Sequence, residues 1–223
     1  MSQPDLILTA DIDYLTPAIH ELKTVDPNVQ ILGEIDKGVV TAVTSGGFFQ
    51  AAEKLRSDPP IFTRHIAPIQ VTHSIQNDGT DIKPIIKLVQ EELIPFFEPN
   101  MSFSVQSRCV GQANYKPFQF NEALAPIIEN EANATLNIKN PLQILSITVD
   151  TAIAYLGLSL AQHNLSNWVG GVHRFAKEKG QISRAEFKLL EAIEQFDQKG
   201  MRKGEEDRRD DDADRSVDRF THQ

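Results

Sequence analysis

The side chains that could do chemistry in this sequence are few. The histidines show no spacing typical of metal ligands; they are His20, His65, His73, His163, His173 and His222. Cys109 lies in an alternating, strand-like run, which is typical of a buried structural thiol rather than a nucleophile. Arg64-His65 is interpreted as a surface pair, with a polar site at the end of a strand as the alternative. Gly46-Gly47 is interpreted as a turn before a helix, because a lone glycine pair does not define a phosphate loop.

Basic side chains are concentrated in one stretch, between His173 and Lys188. The net charge of −9 argues against nucleic-acid binding over the whole surface, because affinity for phosphate depends on the local density of Lys and Arg. Any contact with RNA is therefore expected to be weak, salt-sensitive and dependent on four residues: Arg174, Lys177, Lys179 and Arg184.

The best-specified element is a helix predicted over residues 183–197. Ser183 and Glu186 form an S-x-x-E capping box, in which each side chain accepts a hydrogen bond from an exposed backbone N–H of the other. Its apolar face has helical spacing and consists of Ala185, Leu189, Ala192 and Phe196. Lys188 lies at the edge of this face, where its stem can cover apolar surface while the ammonium projects outward. On pattern alone this is an ordinary amphipathic helix.

Alternating strand-like and helix-like runs precede this helix. Strands are predicted at 5–10, 101–110, 134–138, 143–149 and 152–159, a hairpin at 29–43 and an extended run at 61–72. Helices are predicted at 16–23, 46–58, 82–97 and 118–133. On the strand at 101–110, Phe103, Val105 and Ser107 share one face, which is typical of a half-buried strand. Interleaved elements of this kind predict an α/β or α+β fold with a mixed sheet.

Changes in residue composition and periodicity along the chain predict five segments. Residues 1–100 form a smaller α/β module and residues 101–160 a mixed-sheet region. Residues 161–182 are rich in Asn, Gly and His without periodicity and are expected to be a linker or an ordered loop between domains. The capped helix at 183–197 follows, and the charged residues 198–223 are expected to be disordered, because they contain too little apolar surface to offset the entropy of ordering.

Composition excludes several classes of protein. No run of about 18 apolar residues occurs in the 223-residue chain, so no membrane span or membrane partner is expected. The first residues lack the basic and apolar regions of a secretory signal. One cysteine cannot form an internal disulfide or a Cys/His metal cluster. The expectation is a cytoplasmic protein.

The run SRAEFKLLEAIEQF, residues 183–196, resembles the start of the RrmJ/FtsJ-type ribose 2′-O-methyltransferase domain. There a similar helix carries the first lysine of a Lys-Asp-Lys-Glu catalytic set, and by position that lysine is Lys188. The preceding NWVGGVHRFAKEKGQ resembles the lead-in of family members that have an N-terminal RNA-binding region. The resemblance implies that Lys188 helps to deprotonate or position the ribose 2′-hydroxyl.

The stretch from Phe103 to Leu158 resembles a THUMP domain, an RNA-binding α/β module that is fused to several RNA-modifying enzymes. The resemblance is carried by SFSVQSRCVG, FNEALAPIIE and LNIKNPLQILSITV, with Asn140-Pro141 at the turn between strands. It implies a structured RNA as the partner, expected to be ribosomal, recognised by shape and backbone. DNA is not expected to bind.

After Phe196 the methyltransferase family has a strand and a glycine-rich loop for S-adenosylmethionine, whereas this chain continues with a charged run. The chain is therefore expected to be truncated or frameshifted before the cofactor loop, and to bind no S-adenosylmethionine although the full-length family uses it. An alternative hypothesis is a non-enzymatic α/β protein whose charged tail makes protein contacts.

Overall fold

A computed structural model of the protein describes residues 3–171. The helix predicted at 183–197, the charged tail and all the predicted site residues lie outside this range. The strands are β1 Leu6–Ala10, β2 Gln30–Asp36, β3 Val39–Val43, β4 Thr63–Pro68, β5 Val71–Ser74, β6 Ser102–Cys109, β7 Thr135–Leu136, β8 Gln143–Val149 and β9 Ile153–Leu160. The α-helices are α1 Leu15–Val25, α2 Phe48–Ser57, α3 Ile82–Glu92 and α4 Pro117–Glu131.

These elements confirm the predicted mixed α/β class. The first sheet has the order β2-β3-β1-β4, with every neighbouring pair antiparallel. The second has the order β5-β9-β8-β6-β7, in which β6 pairs in parallel with β7 and β8, and β9 is antiparallel to β5 and β8.

The chain passes from the first sheet to the second at a different position from the boundary predicted at residue 100. The passage lies between Pro68 and Val71, because β5 pairs with β9 of the second sheet. Helix α3 also belongs there, since its buried residues Ile85 and Val89 lie in the same apolar core as Phe103. Long-range strand pairing, which periodicity along the chain does not encode, sets this boundary.

Each sheet is covered by two helices on its outer face. Helices α1 and α2 bury Leu8, Val40 and the other apolar residues of the outer face of the first sheet. Helices α3 and α4 do the same for the second sheet, over a larger core that includes Leu145 and Leu156. The inner faces of the two sheets contact each other through an apolar cluster of Ile7, Val39, Ala67, Ile69 and Tyr155.

This arrangement changes the interpretation of β6. Phe103, Val105 and Ser107 are buried on one face, as the alternation predicts. The opposite face is not solvated, because Ser104 and Gln106 are buried as well. Strand β6 is therefore buried on both sides, although its inner face is polar in sequence.

The predicted linker at 161–182 is ordered in its described part, 161–171. It contains two 3-10 turns, Ala161–Asn164 and Val169–Gly171. Leu165 packs against the core of the first sheet, and the ring of His163 lies 3.0 Å from the Glu53 carboxylate of α2. The Asn-, Gly- and His-rich sequence shows no periodicity, because single side chains make these contacts and no continuous apolar face is needed.

Gly157 allows the two sheets to approach closely. A Cβ at this position of β9 would lie 2.3 Å from the carbonyl oxygen of Pro68 at the end of β4. Atoms at that distance overlap, so any side chain at residue 157 must push the sheets apart or distort one of the strands.

We expect Gly157→Ala to destabilise the protein by about 1–3 kcal/mol, the usual cost of overpacking an interior. Gly33→Ala is the matched control, because a Cβ there has no atom within 4 Å, and exposed changes of this kind stay within about 0.5 kcal/mol. Urea unfolding of the full chain, followed by circular dichroism, measures both. Equal effects of the two substitutions would contradict the close approach.

Candidate functional site

The predicted catalytic lysine, Lys188, lies outside the described residues. So do the predicted RNA contacts Arg174, Lys177, Lys179 and Arg184. The structure therefore neither brings these side chains together nor separates them. The structure does show a cluster of polar side chains between the two sheets. This cluster lies close to the segment that precedes the predicted RNA contacts in the sequence.

The polar cluster is assembled by strand register. Thr9 of β1 pairs with His65 of β4, and Gln106 and Arg108 of β6 pair with Ser146 and Thr148 of β8. All six side chains line one small cavity of about 20 Å³ between the sheets, together with Ile7, Ala67, Val169 and Gly170. We call this space the inter-sheet cavity. Sequence analysis missed it, although the alternation of Ser104, Gln106 and Arg108 with apolar residues was a visible signal.

Residues 166–171 lie across the inter-sheet cavity. The Gln106 side-chain amide donates a hydrogen bond to the carbonyl of Asn167 at 2.7 Å. A Cβ at Gly171 would lie 2.5 Å from the carbonyl oxygen of Arg64, and φ there is +67°, so both space and backbone conformation require glycine. These contacts fix the backbone immediately before the basic stretch.

Arg108 and His65 set the electrostatics of the inter-sheet cavity. The Arg108 guanidinium donates a hydrogen bond to the Thr9 hydroxyl at 3.0 Å. Burial, with a smaller contribution from the positive charge of Arg108, lowers the pKa of His65 to about 3. His65 is therefore neutral at physiological pH. The expectation of a surface Arg64-His65 pair is wrong for His65, which is 5% exposed, because alternation along β4 turns it inward.

Arg64, the neighbour of His65 in β4, is partly exposed and forms an ion pair with Asp11 at 2.9 Å. Cys109 is half-buried at the end of β6, and burial raises the pKa of its thiol, which agrees with a structural role. Among the described residues, no group of His, Cys, Asp and Glu side chains could hold a metal ion.

The Gly46-Gly47 turn between β3 and α2 does not fit a phosphate or a nucleotide. The backbone N–H of Thr44 donates to Asp5 at 2.9 Å, and that of Ser45 donates to Asp26 at 2.6 Å. Burial raises the pKa of Asp26, but hydrogen bonds from Ser45 and Asn28 outweigh it and hold that pKa below its ordinary value. The donors before the turn are thus bound to two carboxylates, which repel an anion.

S-adenosylmethionine does not fit the inter-sheet cavity or the glycine turn either. The inter-sheet cavity of about 20 Å³ is far smaller than the cofactor. The glycine turn, the other candidate on sequence grounds, is occupied by carboxylates. No chemical step is therefore assigned to the cofactor at either of these two sites.

The charge of the described surface is unfavourable for nucleic acid. Residues 3–171 contain ten Lys and Arg against eighteen Asp and Glu. Some of these cations are in ion pairs: Arg64 with Asp11, Arg56 with Glu53 and Lys87 with Glu91. Phosphate binding needs a local excess of positive charge, so the acidic described part is a poor RNA-binding surface by itself. None of its helices is long and apolar enough to cross a membrane.

No family model matches the sequence, and no curated protein matches it at a significant level. Solved structures do match. TrmN from Thermus thermophilus matches with a TM-score of 0.53 and 16% identity over 72% of this chain and 46% of TrmN. PH1313 from Pyrococcus horikoshii Ot3 matches with a TM-score of 0.48 and 14% identity over 70% of this chain and 54% of its own.

A 4-thiouridine synthetase, crystallised with RNA and ATP, matches with a TM-score of 0.44 and 10% identity over 71% of this chain and 42% of its own. The chain therefore spans about half the length of the structures it matches. TrmN has the highest TM-score of these three, and at 16% identity its likeness to this chain concerns the fold alone.

The buried neutral state of His65 makes stability depend on pH. The unfolded chain binds a proton at this residue near pH 6.5, whereas the folded protein binds one only near pH 3. Between these values the unfolded state holds the extra proton. The free energy of unfolding should therefore fall as pH falls, by up to about 1.4 kcal/mol per pH unit.

We expect His65→Gln to remove this slope between pH 6.5 and about pH 5.5, a window that lies above the ordinary pKa of roughly 4 at which carboxyls such as Glu21 and Asp26 begin to bind protons in the unfolded chain. Urea unfolding at a series of pH values gives the difference from the wild type. His20→Gln, at an exposed histidine, is the control and should keep the wild-type slope. A wild-type slope in His65→Gln would contradict the neutral buried state.

Proposed function

We propose that this chain is the RNA-positioning N-terminal part of an S-adenosylmethionine-dependent rRNA ribose 2′-O-methyltransferase of the cytoplasm. The observation that carries the proposal is the fold shared with TrmN over 72% of the chain. This likeness supports an RNA-methyltransferase type of fold, and the 2′-O subtype rests on the resemblance of residues 183–196 to the FtsJ-type helix.

The proposal assigns separate roles to two parts of the chain. The two-sheet body supplies the support, and the basic residues Arg174, Lys177, Lys179 and Arg184 contact RNA phosphates. Lys188 belongs to the catalytic set and acts on the ribose 2′-hydroxyl in the complete active site. The acidic surface of the body favours this division. Acidic groups repel phosphate, so the phosphate contacts are assigned to the cations that follow in the sequence.

S-adenosylmethionine supplies the transferred methyl group in the full-length family. No glycine-rich loop of the type that cradles it follows Phe196 in this sequence. We therefore propose that this chain alone binds RNA weakly and transfers no methyl group.

Charge reversal tests the RNA contacts. Replacing Arg174, Lys177, Lys179 and Arg184 by Glu should weaken binding to a structured ribosomal RNA fragment. Each lost phosphate contact should also reduce the slope of log affinity against log salt by about 0.7–0.9. Fluorescence anisotropy with labelled RNA over a range of salt concentrations measures both. A DNA duplex of the same length should bind less well than RNA.

The matched control reverses four exposed cations of the described part, Lys23, Lys83, Lys87 and Lys139, which changes the net charge by the same amount. We expect it to have a smaller effect than reversal of the predicted contacts. Equal losses in the two variants would show a non-specific effect of net charge and contradict the assignment. No RNA binding in the wild type would favour the non-enzymatic alternative.

Cofactor binding is tested separately by isothermal titration calorimetry of the full chain with S-adenosylmethionine. We expect no heat of binding up to millimolar cofactor. Saturable binding at micromolar concentrations would show that the chain forms a cofactor site and would overturn the proposal that it lacks one.

A further inference from the structure

Strand β5 is an accessible edge of the second sheet. Among the described strands it pairs with β9 alone, and the pairing runs from Val71–Leu156 to Ser74–Ile153 without a register shift. None of the four residues of β5 is buried, whereas every residue of β8 at the centre of the same sheet is. A regular, accessible edge strand presents unpaired backbone N–H and C=O groups to which another strand can bind.

The ladder identifies which backbone groups of β5 point away from β9. The N–H of Ile75, the residue after β5, donates a hydrogen bond to the carbonyl of Ala152 at 2.8 Å. Hydrogen-bonded pairs alternate with other pairs along an antiparallel ladder, so His73 also bonds to β9. The N–H and C=O groups of Thr72 and Ser74 therefore point to the free edge, where no described residue forms a hydrogen bond with them.

The other edge strands of the two described sheets have features that hinder the addition of a strand. Strand β2 has two register shifts and carries the acidic residues Glu34 and Asp36. Strand β4 packs against residues 161–171, and the backbone of Gly171 lies close to the Arg64 carbonyl. Strand β7 has only two residues. Bulges, charges, covering segments and short length are the usual means of protecting an edge.

Strand β5 lacks both a bulge and a charged neighbourhood. Residues 68–77, which contain the strand and its flanks, include no Asp, Glu, Lys or Arg. Charge repulsion at this edge is therefore small even though the whole chain has a net charge of −9. An uncharged edge of this kind favours pairing with a strand that is also uncharged, and a second copy of β5 is such a strand.

Two copies of β5 are complementary when they pair antiparallel with His73 opposite His73 of the second copy. In this register Thr72 lies opposite Ser74, and Val71 lies opposite Ile75. Thr72 and Ser74 are the residues with outward backbone groups, so each Thr–Ser pair can exchange two hydrogen bonds. Hydroxyl side chains then face hydroxyl side chains and apolar side chains face apolar ones, which stabilises cross-strand pairs.

We propose that β5 is a self-association surface, through which two copies of this protein join their second sheets into one continuous sheet. The twofold axis passes between the two His73 residues, perpendicular to the sheet, so helices α3 and α4 of both copies lie on the same face. Because both copies use the same residues, the assembly closes at two. This inference is independent of the proposed RNA function, since β5 contains none of the predicted RNA contacts.

Sedimentation velocity of the full chain at increasing concentration tests the association. We expect a shift from the monomer of 24.9 kDa to a species of twice that mass. Ser74→Pro removes an outward N–H that the ladder with β9 does not use, and proline is tolerated at such edge positions. This variant should associate at least tenfold more weakly and keep the wild-type circular dichroism spectrum. A wild-type chain that stays monomeric at hundreds of micromolar would overturn the proposal.

A charge at the centre of the pairing provides a second variant. His73→Lys places two ammonium groups directly opposite each other, and like charges in that position destabilise a strand pair. We expect it to weaken association at least tenfold. Leu32→Lys is the matched control, because it adds the same charge to an exposed position of the edge strand β2 and should associate like the wild type. Equal effects of the two substitutions would contradict pairing through β5.

Amide hydrogen exchange of the wild-type chain locates the surface without any substitution. The N–H groups of Thr72 and Ser74 should exchange at least tenfold more slowly at concentrations where the dimer forms than in the monomer. The N–H of His73 bonds to β9 within each copy and should be protected under both conditions. A dimer that leaves Thr72 and Ser74 unprotected uses another surface and would overturn the proposal.

Discussion

The face-to-face contact between the two sheets is the constraint on which the rest of this structure depends. Because helices cover the outer face of each sheet, the inner faces can leave water only by packing against each other. The backbones approach most closely where Gly157 of β9 meets the carbonyl of Pro68, with no side chain between them. This approach aligns β4 with the second sheet, and the inter-sheet cavity lies alongside that contact.

The inner faces are apolar in one part and polar in another, and this explains where the polar side chains are clustered. Apolar side chains such as Val39 and Tyr155 fill one part of the contact. Hydroxyl, amide, imidazole and guanidinium groups fill the other, where Arg108 donates a hydrogen bond to Thr9 and where burial, with a smaller contribution from the charge of Arg108, keeps His65 neutral. Polar groups between two layers resist full desolvation, and the buried, neutral His65 makes the stability of this region depend on pH.

The described body carries an unfavourable charge for binding nucleic acid. The described body has more acidic than basic residues, and the Asp5 and Asp26 carboxylates occupy the donors before its glycine turn. Such a surface repels phosphate. The segment 166–171 is held at Asn167 and Gly171 and precedes the basic stretch in the sequence.

Local periodicity predicted most of the strands and helices, including the hairpin at 29–43 and the shared face of Phe103, Val105 and Ser107. The spacing of apolar residues along the chain is sufficient to predict these features. The sequence also identified the resemblance carried by residues 183–196. It did not determine that β5 joins β9, that His65 is buried or that β6 has two covered faces. Those features depend on which strands meet across long separations, and only the tertiary structure decides whether a polar face such as that of Ser104 and Gln106 meets water or another sheet.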